Sequence, residues 1–246
     1  MTGAARGLAA GAAAALPSAG FECVAITYRT TGPDATVAAI EESGARAVAA
    51  HVDFLDDEAT VAAALERLVR ESGPFDTPAH GVGPLVLKRF ERLTLDDYRE
   101  AFDGNVRSAV LATRAVVSSM RAQRFGRIVF FAMVGSAQTL PFRGFAFYQA
   151  AKSALVAFAR CLAVEEARHG ITVNVVVPGD IRDKSLTRAQ ALERAARNPR
   201  GRAGSYEDVA DAVRFLVAAE RDFVTGAVID VGGGLTHADE RNEPAQ

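Results

Sequence analysis

Tyr148-Gln149-Ala150-Ala151-Lys152 places a phenol and an ammonium four residues apart. On a helix, positions i and i+4 lie on one face, so both side chains reach the same space. A phenol titrates near ~10, and a cation beside it favours the phenolate, so the pair is suited to moving a proton at neutral pH. With 4 tyrosines and 3 lysines in 246 residues, chance produces this spacing only roughly 0.05 times. The competing reading is an ordinary helix face with a solvated lysine.

Other chemistry-bearing residues surround the pair in a definite order. Thr2-Gly3-Ala4-Ala5-Arg6-Gly7-Leu8-Ala9 is a glycine turn running into an alanine-rich helix. Such a turn offers backbone N–H groups and the positive end of the helix dipole to a pyrophosphate. Asp53, Asn105 and Ser136 follow, then Pro178-Gly179-Asp180-Ile181, Asp208-Val209-Ala210, Val224-Thr225-Gly226 and Val231-Gly232-Gly233-Gly234. In order and spacing this series resembles the short-chain dehydrogenase/reductase family over nearly the whole chain.

The resemblance implies hydride transfer between a nicotinamide and a carbonyl or alcohol carbon, coupled to proton transfer at the oxygen. Tyr148 is then the proton donor. Lys152 lowers its pKa and holds the nicotinamide ribose, and Asn105 supports a relay water. Ser136 is the candidate for polarising the carbonyl, although it stands one residue closer to the tyrosine than the family's serine does. Met133 occupies that serine's slot when the chain is aligned from Gly126-Arg127-Ile128-Val129.

For the cofactor, the resemblance implies contacts from Gly3, Arg6, Gly7 and Leu8 in the loop, with Ala9 standing where the family has its third glycine. Tyr28-Arg29-Thr30-Thr31 ends a strand with a basic residue, where an acidic one would hold a ribose 2′-hydroxyl. Arg29 and Arg6 therefore favour NADP(H) over NAD(H). Asp53 and Phe54 fall on the adenine side, and a helix cap is the competing reading of Asp53. Gly81, Pro178, Gly179 and Ile181 fall on the nicotinamide side. The expected substrate is a small-molecule carbonyl or alcohol. A 3-oxoacyl thioester on an acyl carrier protein or coenzyme A is the finer expectation, because the substrate lid, 182–202, holds 7 basic residues. Competing expectations are an oxidative alcohol or sugar dehydrogenase and a catalytically silent nucleotide-binding protein.

Length and composition fit one α/β domain. Hydrophobic residues are 49%, charged residues 24% and net charge −2, so neither nucleic acid nor an anionic membrane is an expected partner. No run of apolar residues is long enough for a membrane span. Cys23 and Cys161 lie in apolar runs and are expected to be buried thiols of a cytoplasmic protein. No metal-ligand spacing is present. Arginine greatly outnumbers lysine, which suggests a GC-rich bacterial genome. The resemblance further implies a homotetramer assembled through two long helices, 94–123 and 145–169.

The elements that must hold these residues read as one Rossmann-like, doubly wound parallel sheet flanked by helices, a single domain over 1–246. Expected strands are 21–28, 45–52, 127–133, 171–177 and 227–231. Expected helices are 34–43, 57–71, 94–123, 145–169 and 205–218, with a loose tail over 237–246. Two segments fit badly. The central first strand should precede the glycine turn, yet only Met1 stands before Thr2. The expectation is that the natural chain starts upstream. The family's strand ending Asn-Asn-Ala-Gly is here Pro78-Ala79-His80-Gly81-Val82-Gly83. Proline removes a ladder donor, so this strand is expected to be short or irregular.

Overall fold

Apolar runs alternating with amphipathic segments fold here as parallel strands with helices returning over both faces. The structure is a computed structural model describing residues 1–179 and 181–235; Asp180 of the Pro-Gly motif and the tail over 237–246 lie outside the described residues. Strand β1 (Cys23–Tyr28) pairs in parallel with β2 (Arg46–His51), from Cys23 opposite Arg46 to Tyr28 opposite His51. A second parallel sheet has the order β3 (Ala79–His80), β4 (Gly126–Phe131), β5 (Ile171–Pro178), β6 (Val228–Val231).

Every residue of β4 is buried, as expected of a strand covered on both sides. Alternate side chains go to opposite layers. Val129 and Phe131 pack against α1 (Gly7–Ala15) and α8 (Tyr206–Val217). Ile128 and Phe130 pack against α5 (Ser108–Gln123) and α6 (Ala146–Glu166). Helix α2 (Asp34–Glu42) adds Ile40 to the first layer, and α3 (Glu58–Ser72) packs Val61 and Leu65 against Leu111 of α5. Capping boxes start α8 at Ser205, with Asp208, and the short lid helix α7 (Arg188–Leu192) at Thr187, with Gln190.

Met1 and Thr2 stitch the two sheets together in strand register. The Met1 ammonium donates to the Ala25 carbonyl at 2.7 Å, and Thr27 N–H donates to Met1 O at 3.1 Å. On the other side Thr2 N–H donates to Ala79 O at 2.9 Å, and Gly81 N–H to Thr2 O at 3.1 Å. β3 is correspondingly short, and Pro78, with no N–H to give, immediately precedes it.

The single helix expected over 94–123 is interrupted. The Thr94–Asp97 capping box forms and starts α4 (Leu95–Phe102), but residues Asp103–Arg107 make a π-helical turn before α5. Gly104 permits it, because a methyl there would fall 2.3 Å from Pro84 Cγ. The inserted residue leaves Asn105 fully buried. The cysteines also differ from expectation: Cys23 is half-buried and Cys161 is exposed. Apolar neighbours in sequence did not place Cys161 inside; it lies on the outer side of α6, as does Val164, which is 81% exposed. Among the described residues no helix is long and apolar enough to cross a membrane, and no acid, histidine or cysteine group is placed to hold a metal ion.

Candidate active site

Helix α6 brings Tyr148 and Lys152 to one face, with the lysine Nζ 5.7 Å from the phenol ring centre. Lys152 is buried, and its Nζ donates to the Phe131 carbonyl at the end of β4 at 2.6 Å. Loss of water pushes the ammonium down to about 7, and repulsion from Lys184 adds to the shift. Tyr148 moves the other way: burial pushes it up to about 12. The fold therefore does not acidify the phenol as the spacing suggests. The physical reason is that a 5.7 Å cation whose hydrogen bond goes to a carbonyl does not offset the desolvation of a phenolate.

The π-helical turn aims Asn105 inward. Its Nδ2 donates to Ala101 O at 2.8 Å and to Pro84 O at 3.2 Å. Its Oδ1 is buried and accepts no hydrogen bond from the protein. A methyl on Gly83 would lie 2.8 Å from both Asn105 Oδ1 and Lys152 Nζ, so the bare glycine backbone passes between them. Ser136 is buried. Its Oγ accepts the Met133 N–H at 3.3 Å, and its carbonyl accepts the hydroxyl of Ser153, the residue after Lys152, at 3.0 Å. The loop carrying Ser136 is thus tied to the catalytic helix.

The loop residues are arranged around the start of α1. Gly3 and Gly7 both have positive φ, +63° and +67°, which side chains rarely adopt. Arg6 precedes the helix without capping it, so its first N–H groups meet no side-chain acceptor there. Leu8 is half-buried and packs in the same core as Ile181. Arg29 and Asp53 come together, Nη1 to Oδ1 at 3.7 Å. Asp53 is not a helix cap: its Oδ1 accepts Leu55 N–H in a turn, and Asp57 caps α3 instead. The Phe54 ring is core, edge-on to His80 at 5.7 Å, and its carbonyl accepts from the Arg107 guanidinium at 2.9 Å. Pro178 ends β5 opposite Val231, whose carbonyl accepts Gly179 N–H at 3.0 Å.

Two residues emerge that the sequence did not single out. Lys184 arches from the lid over the glycine turn, its stem 3.4 Å from where a methyl on Gly7 would be. His80 links the loop to the catalytic helix layer: Nδ1 lies 2.7 Å from Thr2 Oγ1 and Nε2 lies 2.9 Å from Ser108 Oγ. Ser108 donates its own proton to Gly104 O, so we assign the proton of His80 to Nε2 and an accepting role to Nδ1. Burial pushes this imidazole down to about 3. The buried histidine after Pro78-Ala79 was a visible departure from the family pattern, but its partners are remote in sequence. The lid also carries less unopposed charge than its composition implied. Arg188 pairs with Asp208 and Asp211, Arg194 with Asp183, and Arg202 with Asp208.

A doubly wound parallel sheet, a glycine turn opening on a helix N-terminus, and a Tyr/Lys/Asn cluster at the end of β4 define a nicotinamide-dependent oxidoreductase. The glycine cradle and the unpaired Asn105 Oδ1 beside Lys152 fit such a cofactor. Residues 3–236 match the family model described as Enoyl-(Acyl carrier protein) reductase. The chain belongs to the short-chain dehydrogenase/reductase family, whose members are NAD(P)-dependent oxidoreductases. It is 31% identical over 225 residues to the 3-oxoacyl-[acyl-carrier-protein] reductase FabG of Escherichia coli, covering 86% of this chain and 91% of the relative. It is 35% identical over 207 residues to the Inactive 2-(S)-hydroxypropyl-CoM dehydrogenase 2 of Xanthobacter autotrophicus, covering 80% and 89%. Among solved structures it resembles a blue fluorescent protein from a metagenomic library in complex with NADPH, with a TM-score of 0.81 and 31% identity over 95% of each chain.

Proposed function

We propose that this protein uses NADPH to reduce a carbonyl to an alcohol, with a 3-oxoacyl thioester as the substrate class. The observation that carries this reading is the pair formed by half-buried Tyr148 and buried Lys152 beside Gly83 and Asn105. When bound, the nicotinamide supplies the hydride. Burial keeps the Tyr148 phenol protonated, the form a proton donor in reduction needs. Tyr148 O–H gives its proton to the carbonyl oxygen. Lys152 lies behind it to stabilise the phenolate left behind, and Asn105 Oδ1 offers an acceptor for the chain that returns a proton. Ser136 would orient the carbonyl from the loop tied to α6.

Arg29 supports NADPH over NADH. It is half-exposed, and its contact with Asp53 leaves most of the guanidinium donors for a 2′-phosphate. Gly3, Gly7 and Leu8 would take the pyrophosphate at the start of α1, with Arg6 and Lys184 above it. Lys184, lying over the glycine turn, supports an anionic handle such as the phosphopantetheine of an acyl carrier protein or coenzyme A. Exposed Leu95 on α4 and Val164 on α6 support assembly as a homotetramer, and the free thiols support a cytoplasmic setting.

The test is NADPH oxidation across simple ketones, sugars and a 3-oxoacyl thioester. Turnover with the thioester, falling as salt rises, is the expected result. NADPH binding with no turnover of any carbonyl or alcohol would establish a silent binder instead. Oxidation of alcohols alone would establish the dehydrogenase reading.

A further inference from the structure

The π-helical turn Asp103–Arg107 is held from outside its own helix. Asn105 itself is bonded to Ala101 O and Pro84 O. The rest of the turn is gripped by 53–56, the connection between β2 and α3. That connection is closed on itself: Asp53 Oδ1 accepts Leu55 N–H at 3.0 Å and Asp53 O accepts Asp56 N–H at 3.1 Å. Arg107 Nη2 donates to Phe54 O and to Asp56 O, each at 2.9 Å. Leu55 Cδ2 lies 3.6 Å from where a methyl on Gly104 would be. The Phe54 ring meets His80, whose Nε2 reaches Ser108 Oγ, and that hydroxyl donates to Gly104 O at 2.7 Å. Arg107 Nε is buried without a hydrogen bond, 3.5 Å from Asp103 Oδ1, so the bonds to Phe54 and Asp56 orient the guanidinium. Charge-assisted bonds to two backbone carbonyls fix the spacing of the segments more sharply than apolar packing does.

We infer that Arg107 is a positioning residue: through it the adenosine end of the dinucleotide, seated on the 53–56 turn, fixes the place of Asn105 beside Gly83 and Lys152. The inference rests on the NADPH-dependent reading above, with Asp53 at the adenine. A π-helical turn is rare and local, and this one carries the buried asparagine on the same few residues that grip 53–56. Whatever orders 53–56 therefore orders the turn. Coupling of this kind is reciprocal, so losing the Arg107 bonds weakens the effect of adenosine on the turn and the effect of the turn on adenosine alike.

The experiment compares the parent chain with Arg107→Met, which removes the donors, and Arg107→Lys, which keeps a cationic donor. The probe is adenosine 2′,5′-bisphosphate, the adenosine end of NADPH without the nicotinamide. Amide exchange is read at 103–108 and along α8. In the parent and the Lys variant the probe should slow exchange at 103–108 at least ~10-fold. In the Met variant, with the probe saturating, the slowing should shrink below ~2-fold while α8 responds as in the parent. Turnover is the second readout. The kcat with NADPH should exceed that with reduced nicotinamide mononucleotide, which lacks adenosine, by at least ~5-fold in the parent and by less than ~2-fold in the Met variant. Unchanged exchange at 103–108 in the parent with the probe bound, or full slowing kept in the Met variant, overturns the inference and leaves the oxidoreductase reading standing. So does an equal ratio of the two kcat values in all three proteins. Loss of protection at α8 and 103–108 together would make Arg107 a general staple of the fold, which also overturns it. A parent chain that does not bind the probe would instead remove the NADPH reading beneath the inference.

Discussion

Ala9 and Gly81 share one space: a methyl on Gly81 would lie 2.5 Å from Ala9 Cβ and 2.9 Å from Thr2 O. The methyl that alanine brings to the third position of the glycine turn is housed because residue 81 has none. Gly81→Ala should therefore cost about 1–3 kcal/mol by overpacking. Adding Ala9→Gly should recover most of that, with the clash against Thr2 O remaining. Urea unfolding of the two single variants and the double variant checks the coupling; strict additivity would show that the pair does not interact.

Tyr148→Phe removes the proposed donor while leaving the ring's packing. Turnover should fall by ~10²–10⁴-fold with NADPH affinity unchanged. Ser136→Ala should lower turnover by at least ~10-fold if its hydroxyl orients the carbonyl. Steady-state rates paired with NADPH titration separate the two effects, and unimpaired turnover in the serine variant would remove that residue from the site.

His80 gives the fold a pH dependence whose sign can be worked out. Its unfolded value is 6.5 and its folded value about 3, so between those pH values the unfolded chain binds the extra proton. Stability is fully present above 6.5 and declines as pH falls towards 3. The contribution is at most on the order of 5 kcal/mol. His80→Asn cannot take up that proton, so its unfolding free energy should fall less steeply over the same range than that of the parent protein. Parallel pH profiles of the two proteins would refute the assignment.

Arg29 and Lys184 should fail in different ways. Arg29→Asp is expected to weaken NADPH at least ~10-fold and spare NADH, since only the first carries a 2′-phosphate. Lys184→Gln should weaken both by a similar ~3–10-fold, because the pyrophosphate is common to them, and should flatten the salt dependence of binding. Fluorescence titration with each dinucleotide decides; a cofactor-selective loss in the Lys184 variant would move that residue away from the pyrophosphate.

Local relationships were legible in the chain itself. The i, i+4 spacing of Tyr148 and Lys152 set their common face, the capping residues Thr94 and Ser205 marked helix starts, and alternating apolar runs marked a doubly wound parallel sheet. The order of weak motifs was sufficient for the family because it samples the whole chain. Properties that depend on who meets whom across the fold were decided only in three dimensions. The raised Tyr148 and lowered Lys152 arise from burial, which spacing does not encode. The break at Asp103–Arg107 lies where the bare backbone of Gly104 fits against Pro84, a residue of another segment. His80 joins Thr2 to Ser108, and Ala9 fits against Gly81, through contacts between residues far apart in sequence. Sequence determines which groups exist and which lie on one face of one element; desolvation and close packing are set by the neighbours that other elements bring, and those appear only when the chain is folded.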